Sequence, residues 1–207
     1  LAATVLARSM GRVATWRRGA WLGWLYGTAW FAAATAWLFI SMHRYGGLPA
    51  GLAALAVLAL SAFMALGLAA AMALFVAWRR GRIVVDALLF GALWLLAEWA
   101  RGVLLTGFPW AAAGYAYVDS PLAALAPWGG VYGIGAVAAC LAAGVGLART
   151  VPMAGAALLV GGSVFGGVSL LCARDFTAGA GEMQVILLQG NVPQNEKFLP
   201  SNLLSQL

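Results

Sequence analysis

Five apolar runs dominate this sequence, at roughly 20–42, 50–77, 84–105, 128–148 and 152–172. Each is long enough to cross a bilayer, which takes about 20 residues. Residues 1–7 read as the tail of an earlier span. Inside lipid, backbone N–H and C=O groups find no water, so such runs fold as helices whose hydrogen bonds close within the segment. The predicted fold class is an all-α polytopic membrane bundle of about five complete transmembrane helices. Composition agrees: 64% of the 207 residues are hydrophobic and 9% charged, against ~25% charged in a soluble domain.

The net charge of +6 comes from arginines that fall between the apolar runs. If each run crosses once, Arg8, Arg12, Arg17, Arg18, Arg79, Arg80, Arg82 and Arg149 share one side, and Arg44, Arg174 and Lys197 the other. The positive-inside bias places the first group in the cytoplasm. Segments 43–49 and 106–127, and everything after 172, then face outward, which in a bacterium is the periplasm. No basic stripe with interleaved polar residues is present, so nucleic acid is not an expected partner. No secretory signal with a cleavage site is visible. The chain opens with "LAATVLA" inside an apolar stretch and closes on "LPSNLLSQL", which reads as a fragment cut at both ends.

Composition changes after Arg174. Residues 1–175 form the predicted transmembrane domain and 176–182 a linker of small residues. Residues 183–207 read as the start of an outward-facing α/β domain, opened by the strand Val185–Leu188. The following turn holds Gln189, Gly190, Pro193 and Gln194.

The sharpest local feature is "LLFGALWLLAEWARGVLLTGFPW" at 88–110. On a helix, Gly91, Trp94, Glu98, Arg101 and Leu105 share one face. Leu89, Leu93, Leu96, Ala100 and Val103 share the opposite face, which suits lipid. A charge at membrane depth costs at least ~2.5–3.5 kcal/mol, so Glu98 and Arg101 must face protein or a water-filled cavity. Three residues apart, they can pair with each other. Two readings stay open: a structural ion pair, or the polar lining of a substrate cavity with Arg101 available to a phosphate head group. Gly107 can end the helix, and Pro109 disfavours a helical Phe108. The loop that follows is unusually apolar. Phe108, Trp110 and Tyr115 suit the lipid–water interface, as the floor or lip of a lipid-entry site or simply packed on the bundle.

Other residues carry weaker signals. His43 reads as an interfacial residue in an "HRYGG" turn, with Gly46, Gly47 and Pro49 shaping it. Cys140 and Cys172 read as buried packing residues at different depths, not as a disulfide. Gly129–Gly133 and Gly162–Gly166 have small-xxx-small spacing and read as bundle interior. A single histidine makes a His-based metal site implausible. No cofactor is implied.

Three stretches together resemble the bacterial apolipoprotein N-acyltransferase family: "ISMHRYGGLP", then "EWARGVLLTGFPW" with "GYAYVDSPLAALAPWGGVYG", then "MQVILLQGNVPQNEKF". The resemblance runs from about residue 20 to 207. It implies eight membrane helices, with a periplasmic nitrilase-like domain between the seventh and eighth. This chain would cover the end of helix two through helix seven and that domain's first strand. It implies a phospholipid acyl donor and, as acceptor, an apolipoprotein carrying diacylglyceryl-cysteine at its N-terminus. A cysteine thioester would carry the acyl group, with a glutamate base and an oxyanion lysine. That triad would lie beyond Leu207, so the resemblance assigns no catalytic residue to this chain. It gives Glu98, Arg101, Phe108, Trp110 and Tyr115 substrate-binding or cavity-lining roles, and His43 is kept as a further cavity-lining candidate. It gives Gly46, Gly47, Pro49, Gly107, Pro109, Gln189, Gly190, Pro193 and Gln194 structural ones. The implied site of action is the bacterial inner membrane, with the soluble domain periplasmic. The alternatives are a polytopic transporter or channel subunit, or another membrane-tethered nitrilase-like amidase.

Overall fold

The computed structural model describes residues 1–148 without a break, then 150, 152–153, 155, 161–163, 166–167, 179 and 181–187. Across residues 1–148 six α-helical segments follow one another: α1 (Ala2–Arg12), α2 (Trp16–Ala34), α3 (Trp37–Ile40), α4 (Ala50–Trp78), α5 (Ile83–Val103) and α6 (Ala126–Gly146). α3 runs on into a π-helical turn, Ser41–Tyr45. Three short 3-10 helices, Leu104–Thr106, Ala113–Tyr117 and Pro121–Leu125, lie between α5 and α6. The apolar segment 106–127 is therefore folded, not a plain loop.

Three described stretches are long and apolar enough to cross a membrane: Ala50–Trp78, Ile83–Val103 and Pro121–Gly146. The expected first span is not one straight helix. Trp16–Ala34 and Trp37–Tyr45 are bent by 52° against each other, and together they would make a fourth span. The break falls at Thr35, whose hydroxyl donates to the Phe31 carbonyl at 2.7 Å. Ser61 makes the same back-bond to Val57 inside α4, and α4 runs on, so the bond satisfies the hydroxyl without causing the break. Most of the expected span at 152–172 lies outside the described residues. Helices of this length and composition make the chain a membrane protein.

Packing follows the 3.6-residue period. α4 buries Val57, Ser61, Met64, Ala65, Leu68, Met72 and Phe75, and exposes Leu55, Leu58, Phe63 and Leu66. The core joins Phe75 of α4 to Phe90 of α5 edge-to-face at 5.3 Å, with Met10 and Met72 fully buried beside them. On α5 the exposed stripe is Leu88, Ala92, Leu96, Trp99 and Val103. This corrects the expected lipid face: Leu89 is partly buried against the core cluster and Ala100 is partly buried. Leu93 is 4% exposed, because one step of 100° from Trp94 keeps it inside the core cluster. Leu105 also leaves its expected face: the helix ends at Val103, and Leu105 is 79% exposed with φ 51°.

Gly19, Gly23 and Gly27 form a buried stripe on α2 that lies directly on α4. A Cβ on Gly23 would stand 2.7 Å from Met72 Cγ and 2.9 Å from the Leu68 carbonyl oxygen. Without a hydrophobic drive between helices in lipid, such close backbone approach is what holds a pair together. Gly129 and Gly133, expected to do this, do not. A Cβ on Gly129, Gly133, Gly162 or Gly166 would meet nothing within 4 Å among the described residues.

At one end of the bundle lie the α1–α2 junction, the α4–α5 turn and the end of α6, with Arg8, Arg12, Arg17, Arg18, Arg79, Arg80 and Arg82. The α4–α5 turn is fixed by Asp86, whose carboxylate accepts from the N–H groups of Arg80 (2.7 Å) and Gly81 (2.9 Å). At the other end lie the His43–Pro49 turn and residues 104–125. The expected strand Val185–Leu188 is described only as far as Leu187. Those three residues carry no β-pairing, and a ladder needs a second strand, which is absent among the described residues.

Gly23→Val is expected to destabilise the bundle by at least about 1–3 kcal/mol, because neither Met72 nor the Leu68 carbonyl can retreat without shifting α4. Gly51→Val, at an open position on the same helix pair, is the control. Thermal unfolding in detergent should separate the two.

Candidate functional site

Glu98 and Arg101 occupy the last turns of α5 and face into the bundle, as their spacing predicts. Their side chains are 10% and 8% exposed. Their contact with each other is loose: Arg101 Nη2 lies 4.0 Å from Glu98 Oε1, outside hydrogen-bond range. The close partners of both are backbone atoms of the segment that follows. Arg101 Nη1 donates to the carbonyls of Phe108 and Trp110. Glu98 Oε1 accepts from the Ala113 N–H at 2.7 Å. The Phe108 N–H donates to the Arg101 carbonyl at 2.8 Å. From α2, the Trp30 indole N–H reaches the Ala111 carbonyl at 3.3 Å, and the Phe31 ring lies 5.0 Å from the guanidinium carbon. The pair thus acts as a clamp on residues 108–113. Arg101 Nη2 makes no hydrogen bond to the described residues.

The clamped backbone is not relaxed. Leu105 (φ 51°) and Ala111 (φ 61°) both sit in the left-handed region without being glycine, at a cost on the order of 1–2 kcal/mol each. Gly107, at φ 80°, is needed twice over: a Cβ there would also strike the Gly102 carbonyl. Gly114 and Gly135 let the segment sit between α5 and α6. A Cβ on Gly114 would strike the Val131 carbonyl, and one on Gly135 would stand 2.8 Å from Glu98 Oε2.

Three cavities border the clamp. An open apolar groove of about 350 Å³ runs between α4 and α5, walled by Leu60, Phe63, Leu66, Leu104 and Phe108, with Arg101 among its lining residues. A shallow cavity of about 340 Å³ lies among Pro109, Trp110, Ala111 and Tyr115. A small one of about 20 Å³ lies between Tyr26, Trp30, Phe31, Trp94, Glu98 and Arg101.

The remaining candidates scatter around this centre. Trp110 is exposed and stacks on Trp37 of α3 at 5.2 Å, which ties the segment to the end of the bent span. Tyr115 is 61% exposed. His43 lines none of the three cavities. Its Nδ1 bonds the Leu48 carbonyl at 2.7 Å, and its ring lies 5.5 Å from Phe39. Gly47 (φ 67°) turns the chain after Gly46, and Pro49 caps α4. Gln189, Gly190, Pro193 and Gln194 lie outside the described residues, as does Cys172. Cys140 is half-buried on α6 and packs at Gly91, where a Cβ would come within 3.0 Å of its own. Sequence reasoning missed Trp30, Phe31, Ala113 and Gly135. Only Trp30 and Phe31 carried a usable signal, as aromatics near the outer end of a span; Ala113 contributes a backbone N–H, which no side chain announces.

Residues 1–144 match the family model described as the apolipoprotein N-acyltransferase N-terminal domain. A protein of Verminephrobacter eiseniae named apolipoprotein N-acyltransferase is 48% identical over 216 residues, covering 97% of this chain and 40% of the relative. One of the same name from Ralstonia nicotianae is 46% identical, over 86% of this chain and 35% of its own length. One from Azotobacter vinelandii is 41% identical, over 92% and 38%. The chain spans about 40% of the length of the curated relatives it matches.

Two outcomes test the clamp. Arg101→Ala should raise amide hydrogen exchange across 107–111 at least tenfold, and Arg101→Lys should not restore protection, because an ammonium lacks the planar fork that spans two carbonyls. Ala111→Gly should raise the unfolding free energy by about 1 kcal/mol, because glycine meets no penalty in the left-handed region.

Proposed function

Since the chain belongs to the apolipoprotein N-acyltransferase family, we propose that it is the membrane platform of an enzyme that N-acylates apolipoproteins. The donor is a phospholipid, and the acceptor is the α-amine of the diacylglyceryl-cysteine at the apolipoprotein N-terminus. The setting is the bacterial inner membrane, with the arginine-rich end cytoplasmic and the clamp end periplasmic. The bond-making residues belong to sequence after Leu207. There, a cysteine thiolate attacks the ester carbonyl, a thioester forms, and lysophospholipid leaves. The substrate amine then attacks the thioester carbonyl, forms the amide and releases the thiolate.

The observation that supports this reading best is the groove between α4 and α5. Its lining is mostly apolar, with Leu60, Phe63, Met64, Leu66, Leu104 and Leu105, and it includes Phe108 and Arg101 of the clamp. An acyl chain would lie along Leu60, Phe63 and Leu66, with its ester near Leu104–Phe108. Arg101 serves this site chiefly by holding Phe108 and Trp110, since Nη1 is already engaged there. Glu98 fixes the Ala113 turn from which Tyr115 projects. Trp110 and Tyr115 offer an interfacial aromatic wall for head groups or the incoming acceptor. His43 stands apart, as an interfacial turn residue.

The test is acyl transfer to a diacylglyceryl lipopeptide by the full-length protein. Gly67→Trp should cut transfer at least tenfold with folded yield little changed. Gly67 lines the groove, and a Cβ there meets only the Ala97 carbonyl, at 3.7 Å. Arg101→Ala should cut transfer more than it cuts folded yield. Residues 1–207 alone should transfer nothing. Full activity in Gly67→Trp would remove the groove from the acyl path.

A further inference from the structure

A further cavity lies at the opposite, arginine-rich end of the bundle, far from the clamp. It measures about 540 Å³ and is bounded by the end of α1, the α4–α5 turn, the start of α5 and the end of α6. Its charged lining residues are Arg8, Arg12, Arg79 and Asp86. Two of these are already engaged. Arg79 donates to the carbonyls of Met10 and Val13, at 2.6 and 2.5 Å, and so closes the end of α1. Asp86 is 4% exposed, and its two carboxylate oxygens accept from Arg80 and Gly81. Arg8 and Arg12 are different. They lie one turn apart on α1, are exposed, and make no ion pair or hydrogen bond with the described residues.

Among the described residues the cavity therefore presents two guanidinium groups with no partner, backed by a third cation, against one carboxylate already held by backbone. That field favours an anion. The volume suits a head group, not a bare ion, because small-molecule pockets run at about 300–1,000 Å³. Apolar residues also border it: Ile83 and Leu147 line it, and Val84 and Val85, next along α5, are 71% and 41% exposed. We propose that this cavity binds the phosphodiester head group of an anionic phospholipid from the leaflet at the arginine-rich end, with its acyl chains lying along the exposed start of α5. Basic pockets between membrane helices on the cytoplasmic side are suited to such lipids, and guanidinium groups bind phosphate through paired N–H donors. The inference rests on the chain being embedded in a membrane, not on the acyl-transfer reading. The site is separate from the donor groove.

The experiment is native mass spectrometry of the full-length protein released from detergent after titration with phosphatidylglycerol, cardiolipin or phosphatidylethanolamine. The expected result is retention of one anionic lipid by the wild type, and retention reduced about tenfold or more in Arg8→Gln/Arg12→Gln. Arg8→Lys/Arg12→Lys should keep most of it. Arg17→Gln/Arg18→Gln, which removes the same charge from the same end outside the cavity, should bind like the wild type. Equal loss in that control would overturn the site in favour of diffuse attraction. So would equal retention of phosphatidylethanolamine. Displacement of the lipid by millimolar inorganic phosphate would overturn the lipid assignment and leave a free-anion site.

Discussion

Irregular backbone at the end of a membrane bundle has amides and carbonyls that no helix satisfies, and lipid offers no water to take them. Here the segment 104–125 carries that problem, and the last turns of α5 answer it. Arg101 supplies N–H groups to the Phe108 and Trp110 carbonyls, and Glu98 supplies an acceptor to the Ala113 N–H. Trp30 supplies one more donor, to Ala111. Two charges that would each be costly alone are thus held by backbone dipoles and by each other's field at 4.0 Å. Charge-assisted hydrogen bonds of this kind are stronger than neutral ones, which lets them hold Leu105 and Ala111 in left-handed conformations.

This arrangement explains the geometry around it. The segment can enter only because Gly107, Gly114 and Gly135 leave no side chain in its way. Its entry sets Phe108 across the outer end of the α4–α5 groove and Trp110 against Trp37. The bent α2–α3 unit is therefore tied to the same segment as α5. The other end of the bundle uses the same device on a smaller scale: Arg79 closes α1, and Asp86 closes the α4–α5 turn. In both places a charged side chain at a helix end satisfies backbone groups of its neighbour.

Much of this was legible in the sequence, and the reasons for the rest are physical. Hydrophobic runs located α4, α5 and α6, because span length and apolarity are fixed by the bilayer. A spacing of three put Glu98 and Arg101 on one buried face. Their partners were not legible, because these are backbone atoms 7 to 15 residues away, and backbone atoms leave no mark in a sequence. Leu93 was assigned to the wrong side because a helical wheel divides faces more sharply than a packed core does. The bend at Thr35 gave no signal, as Ser61 shows by making the same hydroxyl bond in an unbroken helix. The Gly19–Gly23–Gly27 stripe was readable by its period of four. It is masked by the arginines and tryptophans between its members, while the more obvious pair Gly129–Gly133 meets nothing within 4 Å among the described residues.

The bond between the Glu98 carboxylate and the Ala113 amide anchors the segment. Ala113 is the first residue of its 3-10 helix, and Ala112 before it is extended (φ −63°, ψ 132°). Proline is therefore tolerated at 113 and removes only the N–H. The decisive measurement is a double-mutant cycle of Glu98→Ala and Ala113→Pro, read by unfolding free energy in detergent micelles. A hydrogen bond to a charged group is worth about 1.5–3 kcal/mol, so the double variant should be less destabilised than the sum of the singles by about that amount. Additivity within about 0.5 kcal/mol would mean that the two groups do not act on each other, and that something other than the clamp holds the segment in place.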